Sequence, residues 1–124
     1  MDSNKLIFEQ VAEMVENQIL DGILQANDQS PSTTDFANTY GINPATARKG
    51  LNILVDEGIL YKKRGMGMFV TNDARKIIIN KRQEEYLEVI LPDLIKNIKK
   101  LGIEKEELIA KIKQIYEEAW DDWS

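Results

Sequence analysis

Cysteine and histidine are both absent from this chain. Their absence excludes disulfide frameworks, thiol nucleophiles, imidazole acid-base catalysis and the commonest zinc ligands together. Long hydrophobic runs are missing too: a stretch such as Ile77-Ile78-Ile79 falls far short of a membrane span, and Met1-Asp2-Ser3-Asn4 lacks the basic-then-apolar layout of a secretory leader. These features set the expectation of a cytoplasmic protein with no membrane partner. The carboxylate pairs Glu84-Glu85, Glu106-Glu107 and Glu117-Glu118 fall on what read as solvated helix faces, and no pocket-like cluster accompanies them. Neither an enzyme nor a metal or cofactor site is expected. At 124 residues, the chain has room for one modest core, or a small domain with a helical appendage, but not for a catalytic domain as well.

What is present is a soluble, globular composition, with 43% apolar and 30% charged residues and clear apolar periodicity. The net charge of -5 is unevenly spread. Between Asn43 and Val70, Arg48, Lys49, Lys62, Lys63 and Arg64 stand against Asp56 and Glu57, a local balance of +3 that leaves -8 for the remainder. A cationic segment on an acidic body suits a ligand of dense negative charge.

The periodicity sorts the chain into elements. Phe8, Val11, Ala12, Val15 and Ile19 recur at spacings of three and four, with Glu9, Glu13, Glu16 and Gln18 elsewhere on the wheel, which predicts a core helix ending near Gly22. Residues Leu24 to Ser30 read as a loop with room for a very short strand. Ser32 caps a second helix and Asp35 stands where the reciprocal capping carboxylate belongs, with Phe36, Ala37 and Tyr40 as the buried face and Gly41 as the stop. Asn43 caps a third helix with Pro44 at its first position, running to Gly58. Ala47, Leu51, Leu54 and Val55 point inward on it, while Ala45, Thr46, Arg48, Lys49 and Asn52 face out.

From Ile59 to Val70 the period changes toward two, and Arg64-Gly65-Met66-Gly67 interrupts it, the pattern of a β-hairpin with a cationic, glycine-rich tip. After Asp73, a plausible cap, long helices follow. Pro92 either kinks the first of them or opens a new one, and another begins near Glu104. The expected fold is mostly α with a small β-hairpin (α+β): a winged helix-turn-helix domain over residues 1–72, followed by a helical tail over 73–124.

This order of elements points to duplex DNA. A major groove about 12 Å wide admits one helix, held by a second crossing behind it. Gly41-Ile42-Asn43 is the turn, and Pro44, Ala45, Thr46, Arg48 and Lys49 lie near bases and phosphates. Thr46 suits a phosphate oxygen or a thymine methyl, Arg48 a guanine edge or a phosphate, and Lys49 a phosphate. Asn52 sits on the same outward face. On the hairpin, Lys62, Lys63 and Arg64 would follow the backbone, while Gly65 and Gly67 let the main chain approach the minor groove.

The segments Phe8-Glu9-Gln10-Val11-Ala12, Pro31-Ser32, Phe36-Ala37, Gly41 to Leu51, Glu57-Gly58-Ile59-Leu60 and Arg64 to Val70 together resemble the winged-helix domain of the GntR family of bacterial transcriptional regulators. The resemblance covers about Ile7 to Thr71. It implies a repressor acting as a dimer on a palindromic operator, contacting DNA through the recognition helix and the wing. Thr46 and Arg48 match the family's DNA-contacting positions, and Gly67 matches the wing glycine that enters the minor groove. Two arginines usual in the family are missing, because Thr33-Thr34 follows Pro31-Ser32 where Glu-Arg is usual and Asn43-Pro44 replaces Ser-Arg. Ser32, Thr33 and Thr34 nevertheless occupy DNA-facing positions. The Asn-Pro pair and a tail of roughly fifty residues resemble the YtrA-like branch, whose members are often linked to ABC-transporter operons.

The tail carries Ile77, Leu87, Ile90, Leu91, Leu94, Ile95 and Ile98 and then Leu108, Ile112, Ile115 and Tyr116, faces that neither helix buries alone. Association with a second copy is the economical expectation. Folding back on the same chain is the alternative, and the part played by Trp120 to Ser124 stays open. A winged helix that docks a protein instead of DNA is the competing function. The residues name no effector.

Overall fold

The structure, a computed structural model, describes residues 5–123, with side chains through 118. Two compact units divide it between Arg82 and Gln83.

The first unit begins with α1 (Ile7–Leu20), whose Val11, Ala12, Val15 and Ile19 are buried. Next come α2 (Thr33–Tyr40) and α3 (Pro44–Asp56). The Ser32 hydroxyl accepts from the Asp35 amide at 3.0 Å, and the Asp35 carboxylate accepts from the Ser32 amide at 2.8 Å, so both orphan donors at the start of α2 are satisfied reciprocally. Hydrogen bonds to the carboxylate, first from the Ser32 backbone amide and then from the Ser32 hydroxyl, hold the Asp35 carboxyl below its usual pKa. Gly41 ends α2 at φ +65°, and Asn43 Oδ1 opens α3 by accepting from the amides of Ala45 and Thr46. The turn between the helices is thereby set by a left-handed glycine at one end and a side-chain cap at the other.

Strands β1 (Leu60–Lys63) and β2 (Gly67–Val70) pair antiparallel, with Leu60 opposite Val70 and Lys63 opposite Gly67. The expected alternation fails at their base, where Ile59 and Leu60 are both buried, as are Phe69 and Val70. The loop before α2 explains part of this. Asn27 N–H donates to the Val70 carbonyl, Val70 N–H to the Asp28 carbonyl and Ser30 N–H to the Met68 carbonyl, so this loop lies against β2 through an isolated antiparallel bridge at Gln29 and Phe69.

α4 (Ala74–Glu85) starts inside the first unit. Ala74 and Ile78 are buried there, and Ile77, expected on the tail's contact face, packs against the same core. The unit therefore ends ten residues later than the 1–72 domain expected from sequence. Two further expectations change. Tyr40 is 56% exposed rather than part of the buried face of α2, and Glu16, expected outward, is only 4% exposed.

In the second unit, a π-helical turn (Tyr86–Ile90) separates α4 from α5 (Leu91–Lys100), and Leu91 N–H reaches back to the Tyr86 carbonyl. Pro92 is the cause: without an N–H it cannot donate to the α-helical ladder, and a widened turn accommodates its ring. Pro92 thus sits in the first turn of α5. Gly102, at φ +74°, follows α5, and α6 (Lys105–Trp123) begins after Glu104. No side chain described between residues 83 and 118 is buried; Ile95, Ile98 and Leu108 are half-buried at most. The side chains of Trp120 to Ser124 lie outside those described. Among the described residues, no helix is long and apolar enough to cross a membrane.

Candidate nucleic-acid interface

The face of α3 is fixed by how closely α3 meets α1. A Cβ placed on Gly50 would lie 2.4 Å from the Phe8 carbonyl oxygen and 2.9 Å from Val11 Cβ, so only glycine lets these helices approach this far. Ala47, Leu51 and Leu54 fill the remainder of that contact. With one side of α3 committed to the core, Pro44, Ala45, Arg48 and Lys49 on its opposite side are exposed, as is Asn43 before it, and Thr46 is half-buried at the margin. Asn52, expected fully outward, is half-buried, and its Oδ1 is enclosed with no hydrogen-bond donor.

Arg48 is an exposed cation with no ion-pair partner among the described residues. Lys49 has no carboxylate partner either; its ammonium stands 4.1 Å from the Phe8 ring centroid, which steadies the side chain while leaving its charge uncompensated. Ser32 and Asn43 use their side-chain oxygens as acceptors in helix caps, which leaves donation by the Asn43 side-chain amide nitrogen as the polar contact that Asn43 can offer a phosphate. Thr33 is half-buried and Thr34 exposed.

On the hairpin, Lys62, Lys63, Arg64, Gly65 and Gly67 are all exposed. Lys63 lies 5.0 Å from the Phe69 centroid, and Tyr61 stacks on the same ring with centroids 5.8 Å apart. Met66 N–H closes a turn onto the Lys63 carbonyl, with Gly65 at φ +77° inside it. The tip has a second anchor that the sequence did not disclose. The Gln29 side-chain amide donates to the Met66 carbonyl at 2.8 Å, and a Cβ on Gly67 would come within 3.0 Å of its nitrogen. Gln29, Gly50 and Glu16, with the partners Lys81 and Arg82 of the last, are positions that sequence reading missed; each matters through a partner distant in the chain, and only the glycine at mid-helix offered a signal.

Every cation in the Asn43 to Val70 segment therefore remains without a carboxylate partner among the described residues, whereas Lys81 and Arg82 at the far end of the unit are ion-paired. Backbone flanked by glycine and exposed, uncompensated Lys and Arg on a helix and a hairpin are equipped for phosphate and groove contact, and not for covalent chemistry.

Comparison with known proteins agrees. The model of the family "Bacterial regulatory proteins, gntR family" matches residues 7–70, just over half the chain. The transcriptional repressor YtrA of Bacillus subtilis is 30% identical over 113 residues, covering 91% of this chain and 86% of the repressor. Among solved structures, a GntR family transcriptional regulator from Listeria monocytogenes superposes with a TM-score of 0.72 at 29% identity, covering 92% of this chain and 98% of the other. BusR of S. agalactiae, solved with its busAB-promotor DNA, matches with a TM-score of 0.59 at 29% identity over 90% of this chain and 55% of BusR. The relatives are regulators and not enzymes. The chain belongs to the gntR family of bacterial regulatory proteins and is a DNA-binding transcriptional regulator with a winged helix-turn-helix domain.

Proposed function

We propose that this regulator is a homodimeric repressor that binds an inverted-repeat operator and occludes a promoter. One observation carries the proposal: between residues 83 and 118 no described side chain is buried, although the segment is rich in large apolar residues. A helical unit without a core of its own leaves the hydrophobic driving force unspent, and a second copy presenting the same surface is the symmetric way to satisfy it. Leu87, Ile90, Leu91, Leu94, Ile95 and Ile98, with Leu108, Ile112, Ile115 and Tyr116, form the proposed contact. Two-fold symmetry then requires a two-fold repeat in the DNA, with recognition helices spaced about 34 to 36 Å apart or a multiple of that.

On each half-site, Thr46 and Arg48 take the base-reading role, Asn43, Pro44, Ala45 and Asn52 shape the approach, and Lys49 holds phosphate. Ser32, Thr33 and Thr34 face the backbone at the start of α2. Lys62, Lys63 and Arg64 follow the backbone from the hairpin, while Gly65 and Gly67 lay main chain over the minor groove. BusR, solved with its busAB-promotor DNA, supports duplex DNA as the ligand, and similarity to the repressor YtrA supports repression. The YtrA-like tail extends the proposal to an ABC-transporter operon as the regulated unit.

The test is selection of duplexes from a random pool, followed by sedimentation of the protein alone and with the recovered duplex. A recovered inverted repeat, bound two chains per duplex with steep salt dependence, is the expected result. A monomer in solution that recovers no repeat, even at low salt, overturns the proposal and favours a protein-docking winged helix.

A further inference from the structure

A carboxylate on an amphipathic helix ordinarily lies in water, but Glu16 is enclosed on α1. Both of its oxygens are occupied: Oε2 pairs with Lys81 Nζ, and Oε1 with Arg82 Nη2 at 3.0 Å. The same Lys81 ammonium reaches Glu57 Oε2, at the C-terminal cap of α3, at 2.8 Å. The same Arg82 nitrogen also donates to Asn17 Oδ1 at 2.9 Å. Four bonds thus join α1, the end of the recognition helix and one turn of α4.

Of the four charges only the Glu16 carboxylate is buried, and desolvating it offsets much of its attraction to the partly exposed Lys81 and Arg82; what the cluster does is penalise any arrangement that leaves that carboxylate unpaired. The arrangement enforced here concerns α4. Its apolar attachment to the core runs through Ala74, Ile77 and Ile78, with Ile79 half-buried. Beyond Ile79 the remaining residues of α4, Asn80 to Glu85, include no apolar side chain. Lys81 and Arg82 are also the last two residues of the first unit, and the chain continues from them into the tail. The final attachment before the tail is therefore ionic. An apolar contact tolerates a small slip, whereas a shared carboxylate with two directional donors does not.

We infer that the Glu16–Lys81–Arg82–Glu57 cluster is a positioning device that fixes how α4 leaves the DNA-binding unit, and that it thereby sets which half-site spacing the regulator accepts. The inference rests on the proposed two-fold dimer. One inserted base pair displaces a half-site by about 3.4 Å and rotates it by about 35°. A rigid exit from the domain makes that displacement costly, and a loosened one absorbs it.

The experiment uses full-length protein and three duplexes: the inverted repeat recovered from the random pool, the same repeat with one base pair added or removed between its halves, and a single half-site. Wild type is expected to lose about tenfold or more in affinity on the altered spacing, in the range set by duplex deformation. Glu16→Gln and Arg82→Ala are expected to bind the single half-site as wild type does, while their preference for the original spacing falls several-fold. If Glu16→Gln does not fold, Arg82→Ala, which leaves the Lys81 pair in place, carries the comparison. A folded variant with wild-type half-site affinity and wild-type spacing preference overturns the inference alone. Wild-type protein that binds the repeat no better than the half-site overturns the dimer reading beneath it.

Discussion

The Gln29 side-chain amide lies 2.8 Å from the carbonyl oxygen of Met66 and joins the loop before α2 to the tip of the hairpin. The backbone on either side of Gln29 pairs with β2, so the tip is held by this side chain as well as by its own turn. Gln29→Ala removes an exposed hydrogen bond, a change of about 0.5 to 1.5 kcal/mol in stability at most. A separate effect is expected on DNA: about a 3- to 10-fold loss of affinity as the wing tip loses its preorganisation. Thermal melts and fluorescence anisotropy on the selected duplex check the two halves of this prediction separately. Unchanged affinity would mean that the turn closed by Met66 suffices by itself.

Gly50→Ala tests the packing that aims α3. The added methyl meets the Phe8 carbonyl oxygen at 2.4 Å, and a backbone atom inside α1 cannot step aside without moving the helix. Overpacking of this kind costs about 1 to 3 kcal/mol. A lowered thermal midpoint accompanied by weaker DNA binding is expected. A melt identical to wild type would show that α1 yields freely.

Much of this was legible in advance because the signals are local. Ser32 with Asp35, Gly41, and Asn43 with Pro44 each determine an element boundary through atoms a few residues apart, and the structure has those boundaries where the residues put them. The hairpin and its glycine tip were legible for the same reason. Glu16 was not, since its place on the helical wheel gives no hint of Lys81 and Arg82 more than sixty residues away. Nor was the burial of Ile78 or the packing of Ile77 beside it, whose helix reads as a tail until the first unit's core is assembled around it. The π turn at Pro92 is intermediate: proline announced a disturbance, but a kink and a new helix were equally consistent with it.

Alkaline pH probes the ionic cluster. Burial lowers the Lys81 pKa, but hydrogen bonds and attraction from Glu16 and Glu57 outweigh it and raise the value above 10.5. A folded-state pKa above the unfolded one means that Lys81 binds its proton more tightly when folded. Its contribution is therefore complete below pH 10.5 and lost as pH rises through the folded value. Wild type minus Lys81→Gln, measured by denaturant unfolding at stepped pH, should narrow only in that alkaline window. A difference that is constant across it would place the Lys81 contribution in packing rather than charge.

Arg48 and Lys49 should separate by phenotype. Arg48→Ala, losing a forked donor suited to a base edge, is expected to cost about 1 to 3 kcal/mol and to relax preference at one operator position. Lys49→Ala is expected to weaken all sequences alike and reduce the salt slope by about one. It also removes the ammonium 4.1 Å from the Phe8 centroid, so a stability loss of about 0.5 to 1 kcal/mol accompanies it. Competition with scrambled duplexes at several salt concentrations distinguishes the two. Identical profiles would remove the division between reading and anchoring.

The tail is tested by placing charge where apolar contact is proposed. Ile95 and Ile98 are half-buried on α5, and Leu94 beside them is exposed. In a monomer, Leu94→Glu would meet water and change little, because a single exposed leucine needs no partner. In a symmetric dimer the same substitution appears twice across one interface, and two carboxylates drawn out of water into an apolar contact oppose association strongly. Leu94→Glu is therefore expected to sediment as a monomer, to keep the thermal transition of the DNA-binding unit, and to bind a single half-site with wild-type affinity. Its affinity for the full repeat should fall by about a hundredfold, the loss of effective concentration when two linked half-site contacts become independent. A variant that remains dimeric would move the interface off this face of α5 and onto α6, where Ile112→Glu repeats the test on a residue that is likewise exposed.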